Sequence, residues 1–189
     1  MTTSVRPSVS RRAAKHFAAS NEVAERFFEA NADAIARACQ AMAERFQRGG
    51  RLFVCGDGAQ RSDVAHVVVE FVHPVVVGKR ALPAIPLPDL EGGAAQKALA
   101  TMARDGDLLM VLCADAPSDA CRALLAAAHG DGLLTLALIG ASSESDSLAY
   151  HAFVVPSSDA CIVQETHEML YHVLWGLVHV FFEHRAVTR

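Results

Sequence analysis

Apolar residues recur at three- and four-residue steps through the first quarter of the chain. Ala13, Phe17, Val23, Phe27, Phe28, Ala32, Ile35, Ala38, Met42 and Phe46 form one stripe, which predicts helix from Ser10 to Arg48. Ser20 or Asn21 is placed to cap a second helix, with Glu22 and Glu25 in its first turn, so two N-terminal helices are expected. Gly49-Gly50 stops the second. Residues 1–9 show no periodicity and are expected to be mobile.

After Gly50 the period changes. Residues 51–55 make a short apolar run ending in Gly56, the signature of a strand buried on both faces. Further strands are expected over 81–87, 108–113, 133–139 and 152–155. Helices are expected over 60–73, 92–104, 118–129 and, as one long element, 159–183. Strands alternating with helices predict an α/β three-layer sandwich, a five-stranded parallel sheet with helices on both faces and the N-terminal helices added. The 189 residues fit a single domain spanning 1–189. Ligands in such sheets sit beyond the C-terminal strand ends. The loops that matter are therefore 56–62, 87–92, 113–118, 140–147 and 156–160.

Composition narrows the function classes. A formal net charge of −4 supplies no basic field for nucleic acid. No apolar run is long enough for a membrane span, and the polar start does not read as a secretory signal. The five cysteines are scattered and odd in number, which argues for buried thiols in a reducing cytoplasm rather than a disulfide framework or a zinc knot.

Three places can carry chemistry. His66 and Glu70 stand four apart on a helix and share a face, so they can bind one metal ion or simply touch each other. Gln164, Glu168 and His172 form a polar row four apart on an otherwise apolar helix, either a wet stripe or a site. Gly56-Asp57-Gly58, between a strand and a helix, lets a ligand approach backbone N–H groups.

The run from Cys55-Gly56-Asp57-Gly58 through Asp63, His66 and Glu70 resembles the first loop and helix of sugar isomerase (SIS) domains of the phosphoheptose isomerase type. Residues 80–85 resemble that family's second strand. Val155-Pro156-Ser157 through Gln164-Glu165-Thr166-His167, with His172, resembles its last strand and helix. The resemblance implies an aldose–ketose isomerase that interconverts sedoheptulose 7-phosphate and a manno-heptose 7-phosphate through an enediol. It implies zinc held by His66, Glu70, Gln164 and His172, with Glu70 as base and His172 as its acid/base partner. It implies a phosphorylated sugar bound at Gly56, Asp57, Gly58 and Gln164, where Arg61 and Ser118 of this chain are further candidates, and a cytoplasmic homotetramer with sites at subunit boundaries.

The chain also departs from the family pattern. The loop after the third strand lacks the family's hydroxyls and carries Asp115 and Asp119, anions where a phosphate would sit. Only Ser118, as a helix N-cap, could still help an anion. Arg61 is new and could pair with a phosphate or with Asp57. Glu168 takes a place that is apolar in the family, either as an added ligand or as a surface or interface salt bridge. His73, His167 and His179 are expected as packing or interface residues rather than ligands. These departures keep a second reading open, a non-catalytic SIS module that binds a phosphosugar, metal or partner protein.

Overall fold

In the computed structural model, residues 5–141 and 149–186 are described. The 140–147 loop singled out above therefore lies mostly outside the described residues. Helix α1 runs Val5–Gln47 and is followed by β1 (Leu52–Gly56), α2 (Arg61–Val72) and β2 (Ala84–Pro86). Then come α3 (Ala94–Met102), β3 (Leu108–Cys113), α4 (Asp119–Gly130), β4 (Leu134–Ile139), β5 (His151–Val154) and α5 (Ala160–Ala186). The five strands form one parallel sheet, as the alternating pattern predicts, and their order is β2-β1-β3-β4-β5.

Each central strand is buried along its whole length, and alternate residues serve opposite faces. Leu52 and Val54 of β1, with Leu108, Met110 and Leu112 of β3, face a core built with α1, α2 and α5. Phe53 and Cys55, with Leu109 and Val111, face a second core built with α3 and α4. This two-sided burial explains why these strands read as continuous apolar runs. The chain leaves β1 toward β2 on one side and returns to β3 on the other. The ends of β1 and β3 thus form the switch point where such sheets bind ligands.

Two expectations fail at the N-terminus. Helix starts at Val5, inside the stretch without periodicity, and residues 1–4 lie outside the described residues. The two expected helices are one helix of 43 residues, about 64 Å long at 1.5 Å per residue. Ser20 does not cap. Its hydroxyl donates instead to Glu165 Oε2 of α5, at 2.5 Å. The apolar stripe runs unbroken past it through Val23, Phe27, Ile35, Ala38, Met42 and Phe46, all buried. Packing against α5 outweighs a local stop signal worth about 1 kcal/mol. Phe17, expected on the apolar stripe, stays 67% exposed.

Other boundaries move by a few residues. The second strand shrinks to Ala84–Pro86 because Pro83, Pro86 and Pro88 have no N–H to offer, a defect tolerated only at an edge. The helix expected over 92–104 becomes a 3₁₀ turn at Glu91–Gly93 followed by α3, since Gly92 and Gly93 take φ of 73° and 72°. Gly49 ends α1 at φ 87°, and a Cβ on Gly50 would stand 2.5 Å from the Gly106 carbonyl oxygen. Four cysteines are buried, whereas Cys161 is exposed. Among the described residues no helix is long and apolar enough to cross a membrane.

One ionic clamp fixes the opposite end of the sheet. Asp107 is 1% exposed and accepts from the Arg51 backbone N–H, the Arg51 guanidinium at 2.6 Å and the Arg104 backbone N–H. Burial alone would raise its carboxyl pKa. The Arg51 and Arg104 hydrogen bonds overrule that and hold it below the usual range. A folded-state pKa below the unfolded one contributes stability above about pH 4, lost as pH falls through the folded value. Replacing Asp107 by Ala should cost about 3 kcal/mol at pH 7, because two backbone donors and a guanidinium lose their partner. Urea unfolding at pH 7 and pH 3 should show that the variant loses less on acidification than the parent. Equal losses would remove Asp107 from the acid response.

Candidate functional site

Helices α2 and α5 pack side by side on the same face of the sheet. Val64, Val67 and Phe71 of α2 point into the core, which leaves Asp63, His66 and Glu70 on a stripe facing α5. On α5, Leu170, Leu174 and Val178 are buried, and Gln164, Glu168 and His172 share the polar stripe. The two stripes meet.

At the meeting point the Nε2 atoms of His66 and His172 are 3.4 Å apart. Glu70 Oε1 lies 3.6 Å from each of them. Its side chain is 14% exposed, whereas the two imidazoles are 38% and 41% exposed, so the cluster opens to solvent on the histidine side. Tetrahedral zinc with bonds of about 2.1 Å needs donor atoms roughly 3.4 Å apart. The three atoms therefore have the spacing and the chemistry, two imidazoles and a carboxylate, of three ligands around one open position. Glu168 stands on the far side of the His66 ring, with Oε1 3.6 Å from Nδ1. One donor atom each from His66, Glu168 and His172 also fall within 4.8 Å of one another.

The fourth residue of the expected set is reached differently. Gln164 donates its amide N–H to Asp63 Oδ2 at 2.9 Å. That bond orients the amide and leaves its oxygen for a ligand. Asp63 is 4% exposed, and burial raises its carboxyl pKa while the Gln164 hydrogen bond opposes the rise. Tyr171, fully buried, places its hydroxyl 2.8 Å from His66 Nδ1. Burial raises the Tyr171 phenol, and the carboxylates of Asp63 and Glu168 add to this, so it stays protonated. Behind them His167 hydrogen-bonds Gln60 Oε1 through Nδ1 at 3.3 Å, and burial pushes its pKa down to about 4.

The loop residues occupy the switch point. The Asp57 N–H donates to the Leu112 carbonyl at 3.2 Å, and Asp57 Oδ1 accepts from the Ala114 N–H at 3.5 Å, so the carboxylate spans the ends of β1 and β3. Arg61 pairs with Asp89 at 3.0 Å rather than with Asp57. The Asp57 carboxylate is tied to β3, whereas Asp89 sits across a mostly apolar cavity of about 370 Å³ that Arg61 and Gly56 also line. Ser118 is the α4 N-cap, as expected, and its hydroxyl accepts from the Cys121 N–H at 3.2 Å. Asp115 and Asp119 are exposed. His167 and His179 are packed inside, the latter bonded to the carbonyls of Trp175 and Arg80, but His73 is exposed at the end of α2.

Sequence reasoning thus found His66, Glu70, Gln164 and His172 and missed Asp63, Gln60 and Tyr171. Asp63 lies three before His66 and seven before Glu70, so helical periodicity could have flagged it. Tyr171 reads as another apolar residue of α5, and nothing local marks its hydroxyl as turned to α2.

Comparison with known proteins agrees with this fold. The family model for the SIS domain matches residues 15–140. A phosphoheptose isomerase from Solidesulfovibrio magneticus is 29% identical over 171 residues, covering 84% of each chain. One from a Roseiflexus species is 30% identical over 176 residues, covering 85% of this chain and 88% of that one. A solved phosphoheptose isomerase from Francisella tularensis superposes with a TM-score of 0.79 at 22% identity, over 90% of this chain and 98% of that one, and so shares the fold. With its sheet order, its paired helices and these relatives, the chain belongs to the SIS-domain family, in the phosphoheptose isomerase group.

Proposed function

We propose that this chain interconverts a phosphorylated ketose and aldose, with sedoheptulose 7-phosphate and a manno-heptose 7-phosphate as the pair, and that zinc assists. The observation that carries the reading is the meeting of His66, Glu70 and His172 at 3.4–3.6 Å from two helices about a hundred residues apart in sequence. The site's own residues can divide the work. Isomerisation needs a base to move a proton between C1 and C2 and an acid/base group for the sugar oxygens. Glu70 Oε1 faces the imidazoles, so its second oxygen takes the carbon proton. His172 Nε2, beside it, can serve the sugar oxygens only while it is free, since a zinc ion held there would take its lone pair. His66 and Gln164 complete the zinc set. A bound zinc ion would polarise the substrate carbonyl and lower the cost of the enediolate.

The phosphate end needs an anion site. The Gly58 turn lies at the sheet's C-terminal edge, where the chain enters α2, while the Asp57 N–H is already given to Leu112. Arg61 can join it. Its pair with Asp89 is exposed and worth about 0–1 kcal/mol, less than the roughly 1.5–3 kcal/mol of a charge-assisted bond to a ligand. A second reading, a non-catalytic module that binds a phosphosugar, metal or partner protein, draws on Asp57, Asp115 and Asp119, which put negative charge at the same edge. We also propose self-association, with a homotetramer as the expected state, in the cytoplasm. Phe17 of α1 and, separately, Val75 and Val77 after α2 are 67%, 76% and 101% exposed, apolar side chains that neighbouring copies could cover.

Incubating the purified protein with sedoheptulose 7-phosphate tests the two readings. Isomerase activity should appear and fall by at least about a thousandfold in Glu70→Gln, with zinc retained at reduced affinity. No turnover in the zinc-loaded protein would leave the binding module. Light scattering behind size exclusion should give a mass above that of one chain, and Val77→Asp should lower it. A monodisperse monomer at micromolar concentration would end the self-association reading.

A further inference from the structure

The end of the sheet away from His66 holds a cavity between two turns. One turn, Arg48-Gly49-Gly50, joins α1 to β1, and the other, Arg104-Asp105-Gly106-Asp107, leads into β3. The space between them is about 460 Å³, within the range of small-molecule pockets. Arg45, Arg48 and Arg104 line it, with Asp105 and Asp107. Asp107 has no charge to spare, because Arg51 and two backbone N–H groups already take its carboxylate. Asp105 is exposed and reaches Arg45 only at 4.0 Å, and Glu44 stands 3.9 Å from exposed Arg48. Such loose, exposed pairs hold a guanidinium weakly. The Arg104 guanidinium has no acid partner among the described residues. Arginines here have one ordinary use, since the helices ahead of β1, β3 and β4 end at this side with unpaired carbonyls. Arg45 and Arg51 serve it, donating to the carbonyls of Gly132 at 3.1 Å and Met102 at 2.7 Å. Arg48 and Arg104 donate to no carbonyl among the described residues, and the N–H groups of Asp105 and Gly106 likewise find no acceptor there. In a chain of net charge −4, cations and free donors are thus gathered around one open space.

We propose that this cavity binds a second ligand, a small phosphate ester rich in hydroxyls, with its phosphate held by Arg48 and Arg104. Guanidinium forks match phosphate oxygens, and an anion between them replaces the repulsion of like charges. Asp105 can accept from the ligand's hydroxyls. No aromatic ring is among the described residues that line the cavity, so nothing there stacks on a base, which favours a phosphorylated sugar or polyol over a nucleotide. The site is distinct from the His66 cluster. Strands β1 and β3 begin at these turns and end at the switch point, so their whole length separates the two. A ligand bridging the turns would tie the starts of both strands together, as the Arg51–Asp107 clamp does, and raise Tm. None of this depends on the isomerase reading.

Calorimetric titration of the chelator-treated protein with glucose 1,6-bisphosphate, in about 50 mM salt to limit screening, tests this. The probe is blocked at C1 and so cannot isomerise. The parent should bind it with a Kd below about 1 mM and melt at a higher temperature in its presence. Combining Arg48→Ala with Arg104→Ala should weaken binding at least about tenfold, because each change removes a charge-assisted bond. Both side chains are exposed, so the double variant should fold, which circular dichroism checks, and Arg104→Gln alone decides if it does not. Arg61→Ala should leave the affinity unchanged. Adenosine diphosphate should bind at least about tenfold more weakly than the bisphosphate, since no ring is there to stack its base. No binding by the parent, or an affinity that the folded double variant keeps, overturns the proposal. Loss of binding in Arg61→Ala also overturns it, since the ligand would then sit at the other end of the sheet. Equal affinity for adenosine diphosphate overturns the choice of a phosphorylated sugar or polyol.

Discussion

Everything at this site depends on α2 lying against α5 over the β1–β3 side of the sheet. The apolar faces of both helices are consumed by a core that includes Phe71, Val67, Leu170 and Leu174. Their remaining faces have only each other and solvent. Two polar stripes forced together by hydrophobic burial must satisfy one another, because an unpaired buried polar group costs roughly 1–3 kcal/mol. The result is a layered contact. Gln60 with His167 is sealed inside, Asp63 with Gln164 comes next, and His66, bonded to the Tyr171 hydroxyl, stands at the opening with Glu70 and His172.

The layers have different jobs because their exposure differs. His167 is buried, and its low pKa keeps it neutral, so it acts as a fixed hydrogen-bonding strut behind the 58–60 turn. The outer imidazoles keep contact with solvent and can exchange protons and ligands. Between them, buried Asp63 accepts from the Gln164 amide and so fixes which way that amide faces.

The mouth of the site is where this chain differs from the family pattern. Negative side chains line the end of β3, and the one new cation, Arg61, is held in a weak pair across an apolar cavity. On the proposed reading the proton-transfer groups are kept and the anion-binding loop is altered, which would keep the reaction type and change how strongly, and through which groups, the phosphate is held.

The sequence by itself determined the architecture. Strands buried on both faces must be apolar at every position, and helices packed on one side must repeat every three to four residues. Leu108–Cys113 and the α5 stripe were therefore legible without coordinates. Spacing also exposed His66 with Glu70 and Gln164 with His172, because residues four apart share a helix face whatever surrounds them. The tertiary structure decided what crosses between elements. It made α1 continuous by turning Ser20 toward Glu165, sent Arg61 to Asp89, and brought Tyr171 to His66 and Gln164 to Asp63. Local periodicity says which way a side chain faces on its own helix. Which partner waits there is set by the packing of distant segments, where a hydroxyl on an apolar helix can become the link that orients an imidazole.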